Sequence, residues 1–240
     1  IQALIIHRFI SPLLAWLESF VFNPIVAASP KTTKADSSTA ILWHTTEKTA
    51  ALRLMDIGVP LKELGSYDIE PLKELILAQP EDAWWGNQYR QLEYEVHEHT
   101  QSIVMVFTDG SGWPNIEVKQ ESGWDLFKSA ALPLMHKILE DHYPPGGTII
   151  RAMAARLQAG GIIKPHHDGH PSFHHSHRIH IPIYTNPRVR FMIDGQPYSF
   201  EVGTVYEINN QKRHSVMNKG SEGRINFIFD YIPPAQIKRA

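Results

Sequence analysis

The sequence contains no cysteine, and that absence removes two readings at once. No disulfide framework can staple the fold, and any metal must be held by His, Asp or Glu rather than by thiolate. An excess of either charge is also missing: 23 Lys and Arg against 25 Asp and Glu leave a formal charge of −2. Neither a nucleic-acid partner nor an acidic membrane is therefore implied. No internal repeat is visible, and no apolar run accumulates the ~20 clean residues of a transmembrane helix. Residues 1–28 come nearest, with Leu13, Trp16, Leu17, Phe20 and Val21 at helical spacing, but Pro12, Glu18, Asn23 and Pro24 interrupt them. This stretch has no basic start of the kind a signal peptide carries, although Val26-Ala27-Ala28-Ser29 resembles a cleavage site. It is expected to pack as a helix on the main domain or on a second copy in a homodimer, with an interfacial membrane helix as the alternative. A cytoplasmic location is expected.

With 240 residues, 42% hydrophobic and 20% charged, the chain has the makeup of a soluble globular protein with one main domain and an appendage. The small polar run 29–39 (SPKTTKADSST) marks a linker, so 1–45 is expected as an extension and 46–240 as the main domain. Within 52–61 the series Leu54, Met55, Ile57 and Val59 predicts a short strand, and Asp68 is placed to cap a helix over 69–79 that tolerates Pro71 in its first turn. The stretch 84–107 reads as two strands, and 124–142 as a helix that Pro133 would kink or delay. From 148 onward eight short strands follow: 149–158, 162–168, 178–184, 189–193, 198–202, 204–208, 214–217 and 224–231, with Asp194-Gly195 among the turns. Strands this short and close predict a mainly β fold with some α: a double-stranded β-helix, jelly-roll or cupin-like, braced by helices from the N-terminal half.

The densest chemistry lies in 164–183, KPHHDGHPSFHHSHRIHIPI, which holds seven of the 14 histidines. Its informative unit is His166-His167-Asp168. On a strand, residues two apart share a face, so His166 and Asp168 are expected to reach one metal ion. His214, opening the next-to-last strand, supplies a third ligand. Two histidines and a carboxylate with open positions make the facial triad of non-haem Fe(II) oxygenases, against the blander readings of a zinc site or polar surface. Such iron commonly draws electrons from a 2-oxoacid, whose far carboxylate needs a buried cation. Arg224 follows His214 by ten residues and is expected beside it on the adjacent strand, where a guanidinium can fork onto a carboxylate. Arg178 and His180 share a strand face and are expected to line the same pocket.

The series PHHD, HRIHIPI and a histidine ten residues before the arginine of GRINFIFDY resembles the aspartyl/asparaginyl β-hydroxylase family of Fe(II)- and 2-oxoglutarate-dependent dioxygenases. The resemblance spans roughly 151–231. It implies that His166, Asp168 and His214 hold iron, that Arg224 anchors 2-oxoglutarate, and that Arg178 and His180 help to bind this cosubstrate. It also implies hydroxylation of a C–H bond using O2, with release of succinate and CO2. The vertebrate peptidyl branch has Gly where this chain keeps Asp168. The likeness is thus closer to the bacterial small-molecule branch, and a free amino acid or derivative is the expected substrate. Asp168 also disfavours halogenation, since a smaller residue would open a position for halide. A lipid, suggested by residues 1–28, and a peptidyl Asp or Asn are the alternative substrates. A non-catalytic cupin-like module that only captures metal is the reading from another class.

The remaining histidines of the cluster, His167, His170, His174, His175 and His177, are expected in a solvated loop over the site entrance. Trp84, Trp85, Arg90, His97 and Gln101 form a weaker candidate pocket for an amino-acid-like ligand, the Trp pair being equally suited to core.

Overall fold

A computed structural model describes residues 54–86, 99–108 and 117–237. The expected N-terminal helix, the linker and the readings attached to them lie outside the described residues, as do Arg90 and His97. No described helix is long and apolar enough to cross a membrane.

Chain order runs β1 (Leu61–Ser66), α1 (Glu70–Leu77), a 3-10 turn (Glu81–Trp85), β2 (Thr100–Thr108), β3 (Val118–Gln120) and α2 (Gly123–His142). The eight strands of the second half follow: β4 (Thr148–Leu157), β5 (Ile162–His166), β6 (His177–Tyr184), β7 (Val189–Ile193), β8 (Gln196–Tyr198), β9 (Thr204–Ile208), β10 (His214–Asn218) and β11 (Arg224–Ile232). A last short helix, α3, spans Pro234–Ile237. A seven-stranded sheet has the order β1-β9-β6-β11-β4-β2-β3, and a four-stranded sheet the order β5-β10-β7-β8. All pairings are antiparallel. Together they make the expected jelly-roll sandwich.

The larger sheet has two different faces because its residues alternate. Ile179, Ile181 and Ile183 on β6, with Phe227 and Phe229 on β11, pack in one core with Phe127, Met135 and Ile138 of α2 and Leu72 and Ile76 of α1. Helices therefore brace this face, as the sequence predicts. The opposite face carries Arg178 and His180 from β6 and Arg224, Asn226 and Asp230 from β11, all buried or nearly so. This polar face looks into the sandwich. Burying such groups is costly unless they are paired, so their partners identify the working part of the molecule.

Several local expectations are corrected. The strand predicted over 52–61 begins only at Leu61, because Gly58 turns the chain at φ +78° and Pro60 has no N–H for a ladder. Trp84 and Trp85 lie in the 3-10 turn, not in a strand, and the described strand of that region starts at Thr100. Of the segment predicted as strand 198–202 only Tyr198 is in a strand, as the last residue of β8, a three-residue strand across a turn from β7, and 199–202 are coil and turn. Asp194 (φ +51°) and Gly195 (φ +79°) make that turn, the left-handed pair a two-residue hairpin requires. Pro133 sits on the exposed side of α2, which continues through it. Asp68 does act at the start of α1, its Oδ1 accepting from the Glu70 N–H at 3.1 Å.

Candidate metal centre

β5 is an edge strand, bonded only to β10, which is why it tolerates Pro165. In that pairing His166 stands directly opposite His214, and their rings lie 4.4 Å apart. Each ring is oriented in the same way. His166 Nδ1 lies 2.7 Å from the Lys164 carbonyl and His214 Nδ1 3.0 Å from the Lys212 carbonyl, so both protons are held on Nδ1. Both Nε2 lone pairs are then directed into the sandwich, which is how ligating imidazoles are commonly prepared. Burial lowers the pKa of His214, which favours the neutral, ligating ring.

Asp168 completes the group, but not as the sequence predicts. β5 ends at His166, and Asp168 lies in the coil beyond it, so the two do not share a strand face. Its carboxylate is brought back by Arg178, whose Nη1 donates to Oδ2 at 2.8 Å. Oδ1 then lies 4.0 Å from His166 Nε2 and Oδ2 3.9 Å from His214 Nε2. These are too long for hydrogen bonds. The three ligand atoms fall within 4.8 Å of one another, close to twice the ~2.0–2.2 Å bond of a divalent first-row ion. Among the described residues this is the one such cluster.

Across the sandwich, Arg224 opens β11. It was expected on the strand next to His214, but β10 and β11 belong to different sheets, and the two residues face each other instead. Only 3% of Arg224 is exposed, its Nε has no hydrogen-bond partner, and no described carboxylate pairs with it. Its guanidinium carbon sits 4.8 Å from the ring of Phe191, which stacks on Phe200 at 3.9 Å. Burial alone lowers its pKa to about 9, and it remains a cation at neutral pH. Beside it His180 is likewise buried, with a bare Nε2. Burial and then the charges of Arg178 and Arg224 push its pKa well below the ordinary histidine value. Asn226 Nδ2 donates to its Nδ1 at 3.1 Å, leaving the proton on Nε2. His166, His214, His180 and Arg224 line one cavity with Phe191, so two unsatisfied donors and both imidazoles of the cluster border the same space.

Arg178 lines this cavity too, but three of its atoms bind carboxylates: Nε and Nη2 donate to Asp230 at 2.8 and 3.0 Å, and Nη1 to Asp168. Burial opposes its charge, and Asp168 and Asp230 outweigh that and raise its pKa. Asp230 and Asn226 escaped the sequence reading. The signal was available, since Arg224, Asn226 and Asp230 alternate along GRINFIFDY and must share a face.

Other candidates fall away from the centre. Pro171–His174 forms a 3-10 turn, Ser172 and His175 are buried, and His170 bonds Ser172 Oγ at 2.7 Å. His177 bonds Glu207 on the helix side of the sheet. The expected solvated loop is therefore a packed segment, and only His167 of this group is exposed. Trp84 packs in the helix-side core, and Gln101 accepts from Arg156 at 2.7 Å, with Arg156 stacked on Trp84. A cavity of about 280 Å³ also opens on that side, near Tyr143 and Tyr231, with mostly apolar walls.

The sequence model of the aspartyl/asparaginyl β-hydroxylase family matches residues 77–234. The chain belongs to this family. As a member it is a non-haem iron oxygenase of the hydroxylase kind, which the donor set of the centre suits: neutral imidazoles and a carboxylate, without thiolate. A 2OG-Fe(II) oxygenase family oxidoreductase from Burkholderia pseudomallei superposes with a TM-score of 0.52 at 15% identity, over 77% of this chain and 87% of its own, which shows the shared fold. A non-heme monooxygenase, ThoJ in complex with nickel, aligns at 14% identity with a TM-score of 0.47, over 73% of this chain and 74% of its own. No curated protein matches the sequence significantly.

Proposed function

We propose that this β-hydroxylase family member hydroxylates an unactivated C–H bond of a small polar metabolite, an amino acid or a derivative of one. In this reading His166, Asp168 and His214 hold Fe(II), Arg224 takes the far carboxylate of 2-oxoglutarate, and His180 donates to the same cosubstrate. Arg224 carries the reading: a buried cation with an open Nε and no carboxylate partner among the described residues calls for an anion, and it shares one cavity with His166 and His214. Bound iron supplies the oxygen activation that couples decarboxylation of 2-oxoglutarate to insertion of an oxygen atom into the C–H bond.

The protein's own part is to bind, orient and exclude water. The carbonyl-backed imidazoles need no reorientation to ligate. Phe191 and Phe200 form an apolar wall beneath the Arg224 guanidinium, strengthening its hold on a carboxylate by keeping water away. His180, neutral and protonated on Nε2, offers a hydrogen bond without adding positive charge.

The substrate class is supported by charge. The described face holds Arg151, Arg178 and Arg224 against Asp168 and Asp230, an excess of one positive charge. A divalent cation and dianionic 2-oxoglutarate leave that excess unchanged, so the face favours a substrate that presents a carboxylate, as an amino acid does, over a purely cationic amine. The protein reconstituted with Fe(II), given 2-oxoglutarate and a library of amino acids, their decarboxylated amines and neutral lipids, should release succinate in proportion to substrate gaining one oxygen. Turnover of the amines or lipids, but not of the amino acids, would sink the substrate class. An absence of 2-oxoglutarate-dependent succinate release with every member would favour a metal-capturing module.

A further inference from the structure

The last strand carries a carboxylate with an arginine directly opposite on each side. In the sheet register, Asp230 of β11 faces Arg151 on β4 and Arg178 on β6. Asp230 is fully buried (0% exposed). It does not divide itself evenly between its neighbours. Both of its oxygens accept from Arg178, at 2.8 and 3.0 Å, while Arg151 Nη1 stands 3.5 Å away and makes no hydrogen bond. Arg151 is held instead by Thr108 Oγ1 at 3.2 Å and Ser172 Oγ at 2.9 Å. Both guanidinium groups lie against the ring of Phe173, at 4.2 and 4.3 Å.

The two-point contact with Asp230 fixes the plane of the Arg178 guanidinium and points its third nitrogen, Nη1, at Asp168. A planar fork held at one edge has a defined direction at the other, which a lysine would not have. Asp168 needs such direction because it lies past the end of β5, whereas His166 and His214 are held in the ladder and by backbone carbonyls. We propose that Asp230 is a positioning residue of the metal centre: by locking Arg178, it holds the Asp168 carboxylate where the two imidazoles converge. A structural role alone would not require the chain of contacts to end on a group beside the imidazoles. Buried ionic networks are poor sources of stability, since desolvation offsets most of the attraction.

The inference rests on His166, Asp168 and His214 being metal ligands, and a double-mutant cycle separates the two ideas. Co(II) affinity and the thermal unfolding midpoint of the metal-free protein are measured for the parent, Asp230→Asn, Asp168→Ala and the double variant. Asp230→Asn should weaken Co(II) binding about 10- to 100-fold when Asp168 is present, the usual size for a residue that orients a ligand. With Asp168→Ala already in place, it should change Co(II) affinity less than about threefold, while still lowering the unfolding midpoint because Arg178 then loses its bidentate carboxylate partner. Equal loss of Co(II) affinity in the two backgrounds, or none in the parent background, would overturn the proposal. A parent protein that fails to bind Co(II) would instead remove the metal centre itself. Should Asp230→Asn not fold, Arg178→Lys keeps the charge and loses the fork, and it must show the same dependence on Asp168.

Discussion

Replacing Arg224 with methionine should weaken 2-oxoglutarate binding by about 30-fold or more while leaving the metal-free protein as stable as the parent or more so. The reason is the imbalance at this side chain. Arg224 is buried, its Nε has no acceptor among the described residues, and burial lowers its pKa with no described carboxylate to compensate. Removing an uncompensated buried cation recovers desolvation energy, and the thioether keeps contact with Phe191. Losing the cation that pairs with a buried carboxylate costs roughly 2–5 kcal/mol of affinity, about 30- to 4000-fold at ~1.4 kcal/mol per decade. Thermal unfolding reads both effects. In the parent, 2-oxoglutarate at about 100 times its Kd adds about 2.7 kcal/mol of stability, and in Arg224→Met at the same concentration it should add no more than about 0.9 kcal/mol. Arg178→Met should behave oppositely, costing about 3–5 kcal/mol without any ligand, because it removes the guanidinium that pairs with both the Asp230 and the Asp168 carboxylates. An Arg224→Met protein that keeps the parent's 2-oxoglutarate shift would show that the anion site lies elsewhere.

His214→Ala and His166→Ala should each reduce Co(II) and Fe(II) affinity by more than the roughly 10- to 100-fold typical of orienting residues, and should end succinate release. His167→Ala, one residue from His166 but solvent-exposed, should do neither. The contrast separates a built centre from a histidine-rich surface that captures metal through numbers alone. Each imidazole is one of three donors, pre-oriented by the carbonyl behind it, so no neighbouring histidine can replace it without reorganising β5 or β10. Metal titration with iron quantified after reconstitution checks the outcome. If His214→Ala and His167→Ala lost equal affinity, the cluster would be no more than a surface chelator.

Much of this architecture was legible in order along the chain. Alternation in HRIHIPI and GRINFIFDY separates an isoleucine and phenylalanine face from a polar one, and the two faces do pack on helices and on the sandwich interior respectively. Asp194-Gly195 announces its hairpin because few other pairs accept two positive φ angles. The same local logic failed where geometry depended on a strand's end. His-x-Asp spacing places both ligands on one face only while the strand lasts, and β5 stops at His166. It failed again for 170–177, where a run of histidines reads as solvated although Ser172 and His175 are packed inside.

By itself, the sequence determined the periodicities, the absence of thiolate and of any large charge excess, and which residue types carry the chemistry, since each depends on composition or on neighbours within one element. Tertiary structure decided which partners those residues meet. It set His214 and Arg224 in opposite sheets and drew Asp168 back through Arg178. It also gave Asp230 to Arg178 in preference to Arg151, although both stand opposite it in register. These pairings join residues 10 to 79 positions apart, and no local repeat encodes such contacts because sheet order and side-chain competition arise only when the strands assemble.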